Sequence, residues 1–415
     1  MVGTESLFPE PVASRPERAL RSGRGGMLLV ALLLSPLFGA SPHQEANRKH
    51  VSRWTNSLER PADHDARLNS AYTALQAKDP ATAYRLSVLA EHRGTPRRAV
   101  LPLQAEIFRA TDYLDKEMVA YRQWIALAPQ DAIPSLKLFH IYLDLGWKRE
   151  AGAAYRQASA RAPHNPRCYV ARALLAYRSS DPIAGLPAIK SAESLDPLNA
   201  ELTNLHATLL LKALRFTDAE KVARQALQKA PQSKGNRLLL VQALLGQNKI
   251  AEAESLLRAL QQEDTNQAEV ACQLGLLAEK RHDTLEATRQ FERAAASDAQ
   301  YSNVLWHLGN LYMQQKRVEE GRKLLKLFAR MDGNASDFET LLKRLEARPD
   351  DADLHLHLAL SHEAAEEMPQ AIVEFQRVLQ LQPTHSAARK GLAAVLTRAG
   401  RTTEAQALTP VHSRP

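Results

Sequence analysis

The sequence predicts an all-α protein, a solenoid of stacked helical hairpins, and three observations predict it. Alanine and leucine dominate a chain that is 45% hydrophobic but only 6% aromatic, a balance that favours helix over strand. Apolar residues recur at steps of three and four within segments of about 13 residues, the spacing of a one-sided helix. The same pattern returns every 34 residues along most of the chain, and a fixed period of that size marks a repeat architecture. One hairpin cannot bury its apolar face alone, so the units must stack.

The elements follow in order from the amino terminus. Residues 1–40 form a signal-like segment, in which Arg15, Arg18, Arg21 and Arg24 precede the apolar run "MLLVALLLSPLFGA" from Met27 to Ala40. A positive flank, a short apolar centre and small residues behind it are the parts of a secretory signal. The run is shorter than the roughly 20 residues a membrane span needs. Glu5, Glu10 and Glu17 in the flank, and the ending Phe38-Gly39-Ala40, depart from the usual pattern. The expectation is an exported chain, periplasmic or extracytoplasmic, with an uncleaved inner-membrane anchor as the alternative. Residues 41–63 read as a polar linker.

Eight units of 34 residues then fill 64–335, beginning at 64, 98, 132, 166, 200, 234, 268 and 302. The stretch "REAGAAYRQASARAP", with Ala151, Tyr155, Ala158 and Pro163, shares its offsets with "TDAEKVARQALQKAP", with Ala219, Ala223, Ala226 and Pro231. "PQAIVEFQRVLQLQP" repeats them with Ala371, Phe375, Val378 and Pro383. Position 20 of the unit carries Ala83, Ala151, Gly185, Ala219, Ala253, Ala287, Gly321, Ala371 and Ala405, with Glu117 as the exception. Small residues there let two antiparallel helices approach closely, and a proline at position 32, as at Pro129, Pro163, Pro197, Pro231 and Pro383, ends the second helix. Residues 336–351, "SDFETLLKRLEARPDD", read as an inserted single helix with Phe338, Leu341, Leu342 and Leu345 on one face, closed by Pro349. A change of superhelical phase is expected there. Two further units, the last incomplete, occupy 352–413.

These residues carry a family resemblance. Leu308-Gly309 with Tyr312, Leu274-Gly275 with Ala287 and Phe291, and Ala371 with Phe375 and Pro383 resemble the tetratricopeptide repeat (TPR). The resemblance spans residues 64 to about 409. It implies a right-handed α-solenoid, a superhelix of stacked antiparallel helix pairs, whose concave groove binds peptides or proteins. In the family, positions 2, 5, 9 and 12 of each first helix tend to face that groove, while 4, 7, 8 and 11 pack. Carried onto this chain, the pattern gives a partner-binding strip: Leu136, His140 and Leu143; Val170, Leu174 and Tyr177; Asn204 and Thr208; Leu238, Gln242 and Leu245; Leu276; and Trp306, Asn310 and Met313.

The strip is apolar, and no complete unit has the lysine at 5 followed by asparagine at 9 with which family members hold a carboxylate. Such a surface suits an amphipathic helix or an extended peptide with apolar anchors. Tight winding that buries these residues against each other is the other reading. Trp306 is the sharpest residue in it. The family pattern places a tryptophan at position 4; here Leu305 stands at 4 and Trp306 at 5, a turn of about 100° towards the groove.

Catalytic chemistry finds little support. The chain has no P-loop, GxGxxG, GxSxG, HExxH or paired-cysteine motif, so no catalytic residue, metal site or cofactor is expected. His355, His357 and His362 in "LHLHLALSH" come nearest to a ligand set, but His355 and His362 fall on packing positions 4 and 11. Cys168 and Cys272 fit no metal spacing and are expected as two separate thiols. The net charge of +8 is spread over singly placed lysines and arginines beyond the amino terminus, which argues against nucleic acid as a partner. The expected function is a non-catalytic TPR scaffold or adaptor for a protein or peptide ligand in a bacterial-type envelope, in assembly, secretion or polysaccharide export. A membrane-anchored regulatory or sensory adaptor is the alternative, and a cryptic metal protein or enzyme built on the histidine cluster is the least favoured one. Residues 27–40 offer a route to membrane association, and the carboxyl-terminal end a route to self-association.

Overall fold

The computed structural model describes residues 66–179, 181–263, 268–297 and 302–408, and among them every regular element is a helix. The signal-like segment 1–40, the linker 41–63 and the last residues of the final unit lie outside the described residues. The described chain divides into two units, one of residues 66–161 with 341–408 and one of residues 162–340.

The first unit opens with a short 3-10 turn, Ala66–Leu68, and continues through α1 (Asn69–Gln76), α2 (Pro80–His92), α3 (Arg97–Ala110), α4 (Leu114–Leu127), α5 (Ile133–Asp144) and α6 (Lys148–Arg161). The second unit holds α7 (Pro166–Arg178), α8 (Pro182–Leu195), α9 (Ala200–Lys212), α10 (Phe216–Lys229), α11 (Lys234–Gly246), α12 (Ile250–Glu263), α13 (Ala268–Lys280), α14 (Thr284–Ser297) and α15 (Ser302–Gln314). α16 (Val318–Ala347) runs across the division between the units. The first unit then resumes with α17 (Ala352–Ala364), α18 (Met368–Leu381), α19 (Ser386–Arg398) and α20 (Thr402–Leu408).

Local chemistry explains the starts and stops. Asn165, Asn199, Ser233 and Asp351 each accept a hydrogen bond from a first-turn N–H of the following first helix. Asp79 and Asp181 do the same for second helices; each cap contributes about 1 kcal/mol. Between the two helices of a unit, position 15 is left-handed among the described residues. Lys78, Asp112, Leu214, Asn248, His282, Lys316 and Glu366 have φ between 58° and 64°, and Gly146 and Gly400 have φ +76°. A side chain there costs roughly 1–2 kcal/mol, which packing of the paired helices must offset. Ala83, Ala151, Ala219, Ala253, Ala287 and Ala371 at position 20 are fully buried.

One element differs from expectation. Residues 336–351 do not begin a separate helix: α16 runs unbroken through Val318–Ala347, joining the last second helix of the 64–335 array to the insertion. No proline interrupts 318–347, and Leu324, Phe328, Met331, Ala335, Phe338, Leu342 and Leu345 keep steps of three and four, so one continuous ladder is available.

The first unit is discontinuous in sequence, and its two parts are tied directly. α4 packs on α18. Arg401, 6% exposed, donates to both oxygens of Asp115, 9% exposed, at 2.8 and 2.7 Å. Gln376 donates to the same carboxylate at 3.1 Å, and Lys116 pairs with Glu404 at 2.9 Å. The carboxyl-terminal end, expected as a self-association route, is thus occupied in part by its own chain. Removing one member of a buried pair of this kind costs about 3–5 kcal/mol, because the other charge is left uncompensated.

Candidate partner-binding strip

Burial divides the residues of the strip, and each unit is best taken by itself. In the first unit Leu136 and Leu143 are buried. His140 keeps partial exposure and lies edge-on to Phe139, with ring centroids 5.1 Å apart. Burial, aided by the Lys137 ammonium, pushes its imidazole down to about 3.

In the second unit Val170, Leu238 and Leu245 belong to one core with Leu202, Leu205 and Leu209. Together with Leu136 and Leu143, these residues offer no surface to a partner. The physical reason is packing between neighbouring helices: Val170, Leu238 and Leu245 share a core with Leu202, Leu205 and Leu209, and position in the repeat does not report that burial. Leu174 and Tyr177 pack half-buried against the same core. Asn204 donates to Asn236 at 2.7 Å, and Asn236 donates to the Ala226 carbonyl at 3.1 Å. Thr208 donates back to the Asn204 carbonyl at 2.9 Å. Gln242 is half-buried. Lys212 lies over the Tyr177 ring at 4.0 Å and donates to the Tyr177 carbonyl at 2.9 Å. Lys280 reaches the Leu245 carbonyl in the same way at 3.4 Å. Both lysines stand at position 13, so each caps the carboxyl end of the preceding unit's first helix, where its charge meets the negative end of the dipole.

The strip opens on α13 and α15. Trp306 is 45% exposed and Met313 38% exposed, two helical turns apart. Asn310 lies between them and donates to the Trp306 carbonyl at 2.9 Å. Trp306 stands edge-on to His307 at 4.8 Å; His307 in turn stacks on the buried Phe291 at 5.0 Å and sits 2.7 Å from Glu279. Met313 rests on Gly321, where a Cβ would lie 2.9 Å from its sulfur. Leu276 is half-buried in the adjoining cluster. The shelf of Phe291, His307 and Glu279 beneath Trp306 was not singled out from the sequence; the aromatic at position 24 was its one signal.

The other chemistry-bearing residues are engaged in packing. His355 bonds to Glu374 at 2.6 Å and His362 to Glu367 at 2.7 Å. The two cysteines are separate free thiols. Burial pushes Cys168 up to about 11; burial, joined by the Glu269 and Glu279 charges, pushes Cys272 up to about 12. Neither is a nucleophile at neutral pH.

No curated protein sequence matches the chain. Among solved structures, a tetratricopeptide repeat protein from Parabacteroides merdae is 14% identical with a TM-score of 0.49, covering 65% of this chain and 99% of that one. The pilF protein of Pseudomonas aeruginosa is 19% identical with a TM-score of 0.41, covering 52% and 93%. The human IFIT1 dimer is 13% identical with a TM-score of 0.43, covering 92% and 96%. Tetratricopeptide repeat family models match residues 210–279, 276–345 and 335–385. Helix pairs at a constant 34-residue period, small residues where the pairs meet and these matches lead to one conclusion: the chain is a tetratricopeptide repeat protein, an all-α solenoid.

Proposed function

We propose that the chain is a non-catalytic scaffold that recruits a protein or peptide through the open part of the strip on α15, with Trp306 as its anchor. One observation carries the reading. Trp306 leaves a large apolar side chain in water at a first-helix position that is buried at Leu136, Val170 and Leu238. Met313 extends the exposed surface along the helix, and Leu276 and Asn310 frame it with half-buried groups. Exposed tryptophans beside apolar neighbours are frequent anchors of interfaces. The ligand that suits them is an amphipathic helix or an extended peptide with apolar side chains.

The basic flank and apolar run within residues 15–40 support export, and hence work in a bacterial-type envelope: assembly, secretion or polysaccharide export. The same run, if retained, supports the second reading, an adaptor held on the inner membrane. Amino-terminal sequencing of the mature protein separates them: a chain starting near residue 41 supports export with cleavage, and one retaining Met27 supports the anchor. The strip itself is tested by affinity capture from the native cell. Loss of an anchor tryptophan costs on the order of 2 kcal/mol or more, so Trp306→Ala is expected to deplete the captured partner about thirty-fold. Unchanged recovery would rule the strip out.

A further inference from the structure

In the unit of residues 66–161 and 341–408, one buried carboxylate joins three elements. Glu374 of α18 accepts a 2.8 Å hydrogen bond from the indole of Trp147, in the turn between α5 and α6. Its other oxygen faces Nδ1 of His355, on α17, at 2.6 Å. Nε2 of His355 faces the carbonyl oxygen of Pro349, in the turn that leads into α17, at 3.0 Å. Both ring nitrogens therefore point at groups that only accept. A neutral imidazole has one N–H to give; the imidazolium has two. The junction is dry, with Glu374 fully buried and His355 nearly so. A small, partly open recess lined by Trp147, Lys148, Glu346, Pro349 and His355 lies beside the junction.

We infer that residues 341–408 are a strap whose fastening is pH-sensitive: the His355–Glu374–Trp147 junction grips while the imidazole is doubly protonated and loosens when it loses one proton. Loss of that proton sets a nitrogen lone pair against either the carboxylate or the Pro349 carbonyl. Burial by itself pushes the imidazole down, but the hydrogen bond to Glu374, its charge and the Pro349 carbonyl outweigh burial, and the net direction is above 6.5 despite the opposing Arg377. A raised folded-state value means stability that is full below about 6.5 and is lost as pH rises through the higher value. The charges around the junction pair with one another: Lys148 with Glu346, Arg149 with Asp350, and Arg377 with Asp350 and Glu150. At the far end of the strap, Asp115 and Glu404 outweigh burial and hold the Arg401 guanidinium far above neutrality. That contact involves no imidazole, so the pH-sensitive fastening lies at one end only.

The test is amide hydrogen exchange on the full chain from pH 5.5 to 8.5, corrected for the intrinsic rate. Both proteins compared carry Glu117→Ala, so that the Glu117 carboxyl, raised to about 7, does not titrate in the range. Peptides covering 349–381 are expected to lose about ten-fold protection between pH 6 and 8.5, and His355→Gln to abolish that difference. A flat profile in the chain retaining His355 overturns the inference, as does a loss that survives in His355→Gln. Should His355→Gln fail to fold, ¹⁵N-histidine spectra of the chain retaining His355 decide: two ring N–H groups on His355 at pH 6 support the fastening, and one overturns it.

Discussion

Glu117 occupies a place that alanine or glycine holds in the other units, and it is 5% exposed. Burial raises its carboxyl from 4.5 to about 7, against the pull of Arg109, the Tyr121 hydroxyl and Lys137, with Asp112 adding to the rise. The carboxyl is protonated in the folded unit at mildly acid pH and charged in the unfolded chain. Its contribution is therefore most favourable below about 4.5 and is lost as pH rises through about 7. The span corresponds to about 3 kcal/mol at most. Glu117→Ala is expected to raise the melting temperature, and by more at pH 8.5 than at pH 5. A gain of equal size at both would show that the carboxyl meets enough water or partners to ionise freely.

At the scale of the helix pair, stability depends on how closely two backbones approach. A Cβ at Gly275 on α13 would lie 2.7 Å from the Phe291 ring, a fully buried side chain on α14. Gly275→Val is expected to cost about 1–3 kcal/mol, read as a lower melting temperature; an unchanged value would show that the phenyl ring has room to move. Much of this level was legible beforehand. Pro166, Ala200, Lys234, Ala268, Ser302, Ala352 and Ser386 begin first helices where the 34-residue frame begins its units, because caps, small residues and prolines are local signals. The left-handed residue between helices was not legible. Leu214, Lys316 and Glu366 adopt it without any glycine or asparagine signature, since the paired helices impose the turn. Nor was the unbroken run of α16, which carries a second helix straight into the expected insertion at 336–351. The strip was half legible: a one-residue change of register picked out Trp306, but burial of Leu136, Leu238 and Leu245 depends on what neighbouring helices bring against them, which no single window contains.

At the scale of the molecule, the discontinuous first unit sets this chain apart from a repeat array in which each unit meets only its neighbours. Asp115 and Arg401 stand 286 residues apart, and Trp147 and Glu374 stand 227 apart. No periodicity encodes such pairs, because each joins two parts of the chain that no repeat window contains together. A chain ended at Thr340 is therefore expected to lose hydrogen-exchange protection in α4 to α6, far in sequence from the cut, while α9 to α13 keep theirs. Unchanged protection of α4 to α6 would return the protein to the neighbour-only picture. The Asp115–Arg401 pair also has a consequence in time. Synthesis proceeds from the amino terminus at about 5–20 residues per second, so Asp115 waits roughly 10–60 seconds for its guanidinium to be made. For that interval the earliest-made hairpins carry an unanswered carboxylate and an uncovered flank, and any factor that attends the nascent chain would meet them there first.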